Sequence, residues 1–186
     1  MNANGWRQIA VTSASQGDGK TVTAINLAIS LAGDVNHEVC LVDLDLRRSS
    51  IADYLGIKIN KGVSDCLARS VPLEDVLLKT PYERLTLLPN LRPEIHSSEL
   101  LNSPEMRTLA SMLAIDSHRI VVYDMPPLLA ADDMLAFEAI VDATLFVVAE
   151  GKTSRTEVIK ACELLEGSNL IGTVLNRSDE KTASYY

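Results

Sequence analysis

At 186 residues the chain has the length of one ordinary domain, and its 47% hydrophobic and 23% charged content is that of a soluble globular protein. A net charge of −8 and a pI near 4.9 argue against sequence-independent nucleic-acid binding and against holding an anionic membrane by charge, both of which need basic patches. Cys40, Cys66 and Cys162 are too scattered for a disulfide framework or a zinc site. Residues 1–8 lack the apolar core of a signal peptide, and no apolar run approaches the ~20 residues of a membrane helix, so a reducing cytoplasm is expected.

The first predicted element is a short strand at residues 9–11. It runs into Ser13-Ala14-Ser15-Gln16-Gly17-Asp18-Gly19-Lys20-Thr21 and then into a helical pattern at 21–32. Strand, glycine-bearing loop and helix in this order build a phosphate cradle. Glycines let backbone N–H groups approach an anion, the helix N-terminus adds a favourable dipole, and Lys20 supplies a compact charge. The Thr21 hydroxyl is then placed to ligate Mg²⁺. The usual pattern is G-x-x-x-x-G-K-[ST]; Ala14 stands where its first glycine would be.

A second strand at 39–42 leads into Asp43-Leu44-Asp45-Leu46-Arg47-Arg48. Strand alternation puts Asp43 and Asp45 on one side, at the carboxyl end where parallel sheets bind ligands. Two carboxylates there suit Mg²⁺, which takes a few carboxylates with phosphate and water. Helices at 64–69 and 73–79, a strand at 85–88 and a helix at 104–115 follow. The strand at 120–123 ends in Asp124-Met125-Pro126-Pro127, a strand-end carboxylate like the one that orients the Mg²⁺ shell in phosphate-loop NTPases. The prolines stop that strand. A helix at 130–140, a strand at 145–148, a helix at 154–166 and a strand at 170–175 complete the order. This alternation predicts an α/β fold with a mostly parallel central sheet and helices on both faces, which the Gly19-Lys20-Thr21 loop and the Asp124 strand end make a P-loop NTPase. Residues 1–176 form the domain, and 177–186 a polar, flexible tail carrying Tyr185 and Tyr186.

Taken together, these motifs resemble the bacterial tyrosine kinases of capsule and exopolysaccharide synthesis. SASQGDGKT is similar to their variant Walker A loop, LVDLDLRR to their D-x-D-x-R motif, and YDMPP to their Walker B motif with paired prolines. Gly62-Val63-Ser64-Asp65, the stretch Ser98 to Ser103 with Met106-Arg107, Gly151-Lys152-Thr153 and Gly172 to Arg177 match further family segments.

The resemblance implies ATP and Mg²⁺ as cofactors. Gly17, Gly19, Lys20 and Thr21 would cradle the phosphates, with Asp18, Val22 and Arg177 in the same nucleotide-binding set and Asn176 facing the adenine. Thr21, Asp43 and Asp124 would hold Mg²⁺. Lys20, Asp43 and Asp45 would form the catalytic group, with Asp45 accepting the phenolic proton of an incoming tyrosine, whose pKa of ~10 makes it a poor nucleophile unaided. Tyr185 and Tyr186 would be phosphoacceptors.

A transmembrane polysaccharide co-polymerase or activator acting in trans, recruitment to the inner face of the cell membrane, and a homo-oligomer are the implied associations. The chain departs from the family in lacking a Glu-x-x-Arg-x-x-Arg pattern before its first strand. It also has Ser49 after the Arg pair and Ala149 where Arg is common. Two other readings stay open: a partitioning or division-site ATPase switch, whose loop would carry an extra lysine that Thr12-Ser13-Ala14-Ser15 lacks, and a non-catalytic nucleotide-binding regulator.

Overall fold

The computed structural model describes residues 5–179. Seven strands form one sheet in the order β3-β4-β2-β5-β1-β6-β7. They are β1 Gln8–Ser13, β2 Glu38–Asp43, β3 Leu78–Lys79, β4 Leu85–Leu88, β5 Arg119–Asp124, β6 Ala143–Ala149 and β7 Leu170–Asn176. All neighbours run parallel except β3, which pairs antiparallel with β4. The chain leaves β1 for β2 on one side and later crosses to β6 on the other. β1 is therefore flanked by the point where strand order reverses, the usual place for a ligand crevice.

Period-two alternation divides the apolar side chains between two cores. Ile9, Val11, Leu41 and Val122 face α1 (Lys20–Ala32), which buries Ala24, Ile25 and Ala28 against them. Ala10, Cys40, Val42, Val121 and Tyr123 face the opposite layer, which includes α3 (Val63–Leu67), α5 (Pro104–Leu113) and α6 (Asp133–Phe137). Tyr123 meets Phe137 edge-to-face at 4.9 Å, and its hydroxyl donates to Gln8 Oε1 at 2.8 Å, so the buried phenol is satisfied.

Several expectations need correction. The helix expected at 73–79 is a 3-10 turn, Leu73–Asp75, followed by the edge strand β3; pairing with β4 overrides the local apolar spacing. The helix expected at 130–140 is α6 plus a 3-10 turn at Glu138–Ile140. Two one-turn helices, α2 (Ile51–Tyr54) and α4 (Ser97–Leu101), were not expected, because one turn is too short to show a 3.6-residue period. The helix α7 (Arg155–Leu164) starts at Ser154, whose hydroxyl accepts from Glu157 N while the Glu157 carboxylate accepts from Ser154 N. Tyr185 and Tyr186 lie outside the described residues.

Gly62 ties the layer behind the site together. A Cβ there would lie 2.4 Å from Leu91 N and 2.9 Å from Asn90 Cα, and Asn90 Nδ2 donates to Ser49 Oγ in the loop that carries Asp45. Gly62 has an extended backbone, so space rather than torsion excludes a side chain. Gly62→Ala is expected to lower unfolding free energy by about 1–3 kcal/mol in chemical denaturation, the range for overpacking a tight contact.

Candidate nucleotide and metal site

The site is assembled from the carboxyl ends of β1, β2 and β5. After β1, Gly17 and Gly19 take positive φ of 80° and 94°, which L side chains rarely adopt. Gly19 is also the N-cap of α1. No side chain caps the helix, and its first turn holds no acidic residue, so its N–H groups remain available to an anion. A Cβ on Gly19 would lie 1.8 Å from Asn176 Nδ2, and that amide donates to Asp18 O at 2.9 Å. Ala14, at the place of the missing first glycine, is fully buried; its carbonyl accepts from Leu129 N at 3.1 Å, which joins the loop to the segment after the paired prolines.

Strand register sets the acidic floor. Asp43 on β2 is directly opposite Asp124 on β5, which is in turn opposite Val11 on β1. Both carboxylates are buried. Asp43 Oδ2 accepts from Ser50 N and Ile51 N at 3.0 and 3.1 Å, while Asp43 Oδ1 and Asp124 Oδ2 have no hydrogen-bond partner. Burial, then the neighbouring Asp124 charge, pushes the Asp43 pKa up to about 7. Burial also raises Asp124, against the pull of Lys20.

β2 ends at Asp43, so Asp45 is placed by a turn rather than by strand pleat. Its carbonyl accepts from Arg48 N at 2.9 Å and from Ser49 Oγ at 3.2 Å. Lys20 Nζ reaches Asp45 Oδ2 at 2.8 Å, Asp124 Oδ1 at 3.1 Å and Thr21 Oγ1 at 3.3 Å. Burial works against the Lys20 charge, but Asp124 and Asp45 outweigh it and hold its pKa above the usual lysine value.

Gly17, Gly19, Lys20, Thr21, Val22 and Asp45 line one cavity of about 470 Å³, together with Arg47, Arg48, Tyr54 and the two prolines. Asp43 and Asp124 are buried and do not line it, but Asp124 touches the lining Lys20. Asp18 supports the loop instead of lining the cavity: it is fully buried and accepts from Ser15 N at 2.9 Å. Arg177 is exposed, and neither it nor Asn176 is among the cavity's lining residues.

Arg47, the arginine of the D-x-D-x-R run, is anchored, with Nε donating to Ser97 Oγ at 2.8 Å and Nη2 lying 3.4 Å from the buried Asp133. Asp133 carried no sequence signal for this contact, being 86 residues from Arg47.

The donor set fits Mg²⁺. Among the described residues no group of three or more His, Cys, Asp or Glu side chains could hold a metal by itself. Mg²⁺ needs only one or two carboxylates beside phosphate oxygens and waters. The two orphaned carboxylate oxygens and the Thr21 hydroxyl supply that kind of site.

The fold and this arrangement define a phosphate-loop nucleotide-binding protein. A ParA family model, described as NUBPL iron-transfer P-loop NTPase, matches residues 6–182. Tyrosine-protein kinase YwqD of Bacillus subtilis is 30% identical over 91% of this chain and 72% of its own length. The kinase domain of the Escherichia coli tyrosine kinase ETK superposes with a TM-score of 0.85 at 26% identity, covering 100% of this chain and 74% of that one. The cell division ATPase MinD of Pyrococcus furiosus gives 0.76 at 26%, covering 93% and 74%. The chain belongs to the bacterial tyrosine kinases within the ParA-like P-loop NTPases.

The raised Asp43 pKa costs the fold stability at neutral pH. An acid whose folded pKa lies near 7 against ~3.8–3.9 unfolded binds its proton more tightly when folded. Its contribution to stability is therefore lost as pH rises from about 4 to about 7 and stays lost above that. Asp43→Asn keeps an acceptor for Ser50 N and Ile51 N and removes the repulsion with Asp124. It is expected to raise the melting temperature at pH 8 by about 3 °C or more, with the gain fading toward pH 4–5 in thermal melts.

Proposed function

We propose that this chain is an ATP-dependent protein-tyrosine kinase regulating exopolysaccharide or capsule synthesis or export. The observation that carries this reading is the pairing of orphaned Asp43 and Asp124 oxygens beneath a glycine loop. The loop's Lys20 is shared with a third carboxylate, Asp45, at the cavity wall. Gly17, Gly19 and the α1 N-terminus would receive phosphate oxygens, and Thr21, Asp43 and Asp124 would hold Mg²⁺. The metal, when bound, supplies neutralisation of charge on the transferring phosphoryl group.

The same Lys20 ammonium serves two partners. Phosphate oxygens in the loop compete with Asp45 for it. As Lys20 turns to them, the Asp45 carboxylate is released to take the phenolic proton of an acceptor tyrosine. The demand on this base is modest, because phosphoryl transfer is loose and driven mostly by positioning and electrostatics. Tyr185 and Tyr186 are the proposed acceptors. No helix among the described residues is long and apolar enough to cross a membrane. On the family resemblance, we assign the chain to the cytoplasm, recruited to the inner membrane face by a transmembrane polysaccharide co-polymerase or activator.

The test is incubation with Mg·ATP, with and without the cytoplasmic segment of that activator, followed by mass spectrometry. Phosphotyrosine at Tyr185 or Tyr186 is expected, reduced by about 100-fold or more in Lys20→Met. ATP turnover without phosphotyrosine would favour a division-type ATPase switch, and nucleotide binding without turnover a non-catalytic regulator.

A further inference from the structure

A loop built on glycines is conformationally free, and its anion-binding shape has to be held from outside. Part of that hold comes from the loop itself, where Ser15 N donates to Asp18 Oδ2. Part comes from β7, where Asn176 Nδ2 donates to Asp18 O. The rest comes from the segment between β6 and α7. Lys152 Nζ lies 3.3 Å from Asp18 Oδ1 and donates to Gln16 O, and it sits against the face of Gly17, 2.7 Å from where a Cβ would be.

The arm that carries Lys152 is itself fixed. Gly151 turns the chain with φ 69°. Thr153 Oγ1 accepts from Ala149 N at 2.8 Å, and Thr153 N donates back to Ala149 O at 2.9 Å. Glu157, three residues past the Ser154 cap, accepts from Ser15 Oγ at 2.6 Å. The Ser15 and Ser154 hydrogen bonds hold the Glu157 pKa down to about 2, so it stays ionised at physiological pH. The phosphate loop is thus strapped to the start of α7 at two points.

Charge gives Lys152 a second task. Asp18 is wholly buried behind the loop, and a buried carboxylate needs a counter-charge. Lys20 is committed to Asp45 and Asp124. Among the described residues the ion pair formed by Asp18 is with Lys152. Left unpaired, Asp18 would set a negative charge behind a cradle meant for phosphates.

We infer that Lys152 is a positioning residue for the nucleotide: a cation supplied from outside the phosphate loop that fixes the Gln16–Gly17–Asp18 backbone and neutralises Asp18. Lys152 does not line the cavity and acts through the loop. The inference rests on the nucleotide reading of the site but not on the kinase reading, so Mg·ADP binding by titration calorimetry tests it separately. Lys152→Met is expected to weaken Mg·ADP binding by about ten-fold, a loss of ~1.4 kcal/mol. Lys152→Arg, which keeps a charged donor for Gln16 O and Asp18, should bind within about three-fold of the unaltered protein. In turnover assays KM for ATP should follow the binding constant while kcat at saturating ATP holds. Equal binding by Lys152→Met and the unaltered protein would overturn the inference, as would an arginine variant as weak as the methionine one. If the unaltered protein failed to bind Mg·ADP, the nucleotide reading would fall with it. Normal binding without phosphotyrosine would overturn the kinase assignment and leave the Lys152 inference standing on the binding data.

Discussion

The buried Lys20 ammonium is the interaction on which the rest of the site depends. It is 8% exposed and joins three elements that are distant in sequence: the loop after β1, the turn after β2 and the end of β5. Without it Asp43, Asp45 and Asp124 would be left without the ammonium that Asp45 and Asp124 share, an arrangement that burial and mutual repulsion both oppose. A lysine can serve here because it is a compact charge on a flexible stem, able to exchange one set of oxygens for another. The site is therefore electrostatically strained where its function lies. Asp43 illustrates this: its raised pKa marks a group whose charge is costly until a cation shares it.

The sheet makes that convergence possible. In-register pairing of β2, β5 and β1 brings Asp43 opposite Asp124, and Asp124 opposite Val11 a few residues before the phosphate loop. Asp43 and Asp124 were legible in the sequence because each follows a short, β-branched apolar run of the kind that fits a strand buried on both faces. The order of the strong elements was legible for the same reason. α1 and α5 run for 13 and 10 residues, long enough for their buried stripes to show.

What the sequence hid depends on long-range pairing or on elements one turn long. α2 and α4 have no measurable period, yet α2 supplies the Ile51 N–H that binds Asp43, and α4 supplies the Ser97 hydroxyl that anchors Arg47. The segment at 73–79 has helical spacing, but only Leu73–Asp75 make a 3-10 turn, and Leu78–Lys79 are drawn into an edge strand by β4. Asp18 looked like a phosphate-loop contact; its side chain instead turns inward, because Ser15 N–H and Lys152 are there to receive it. Lys152 stood in a visible motif, but its partner lies 134 residues away, a pairing that no local pattern encodes. The loop residues that line the cavity were legible, and the groups that hold the loop in shape were not.

In the proposed function Lys20 balances two buried carboxylates and is also the cation for nucleotide phosphates, with Mg²⁺ taking the oxygens left orphaned. A crystal structure with Mg·ADP bound tests this at the level of single atoms. Lys20 Nζ is expected on phosphate oxygens and away from Asp45, with Mg²⁺ held by Thr21 and, directly or through water, by Asp43 and Asp124. A bound nucleotide with Lys20 still seated on Asp45 and Asp124, or with the metal held elsewhere, would contradict it.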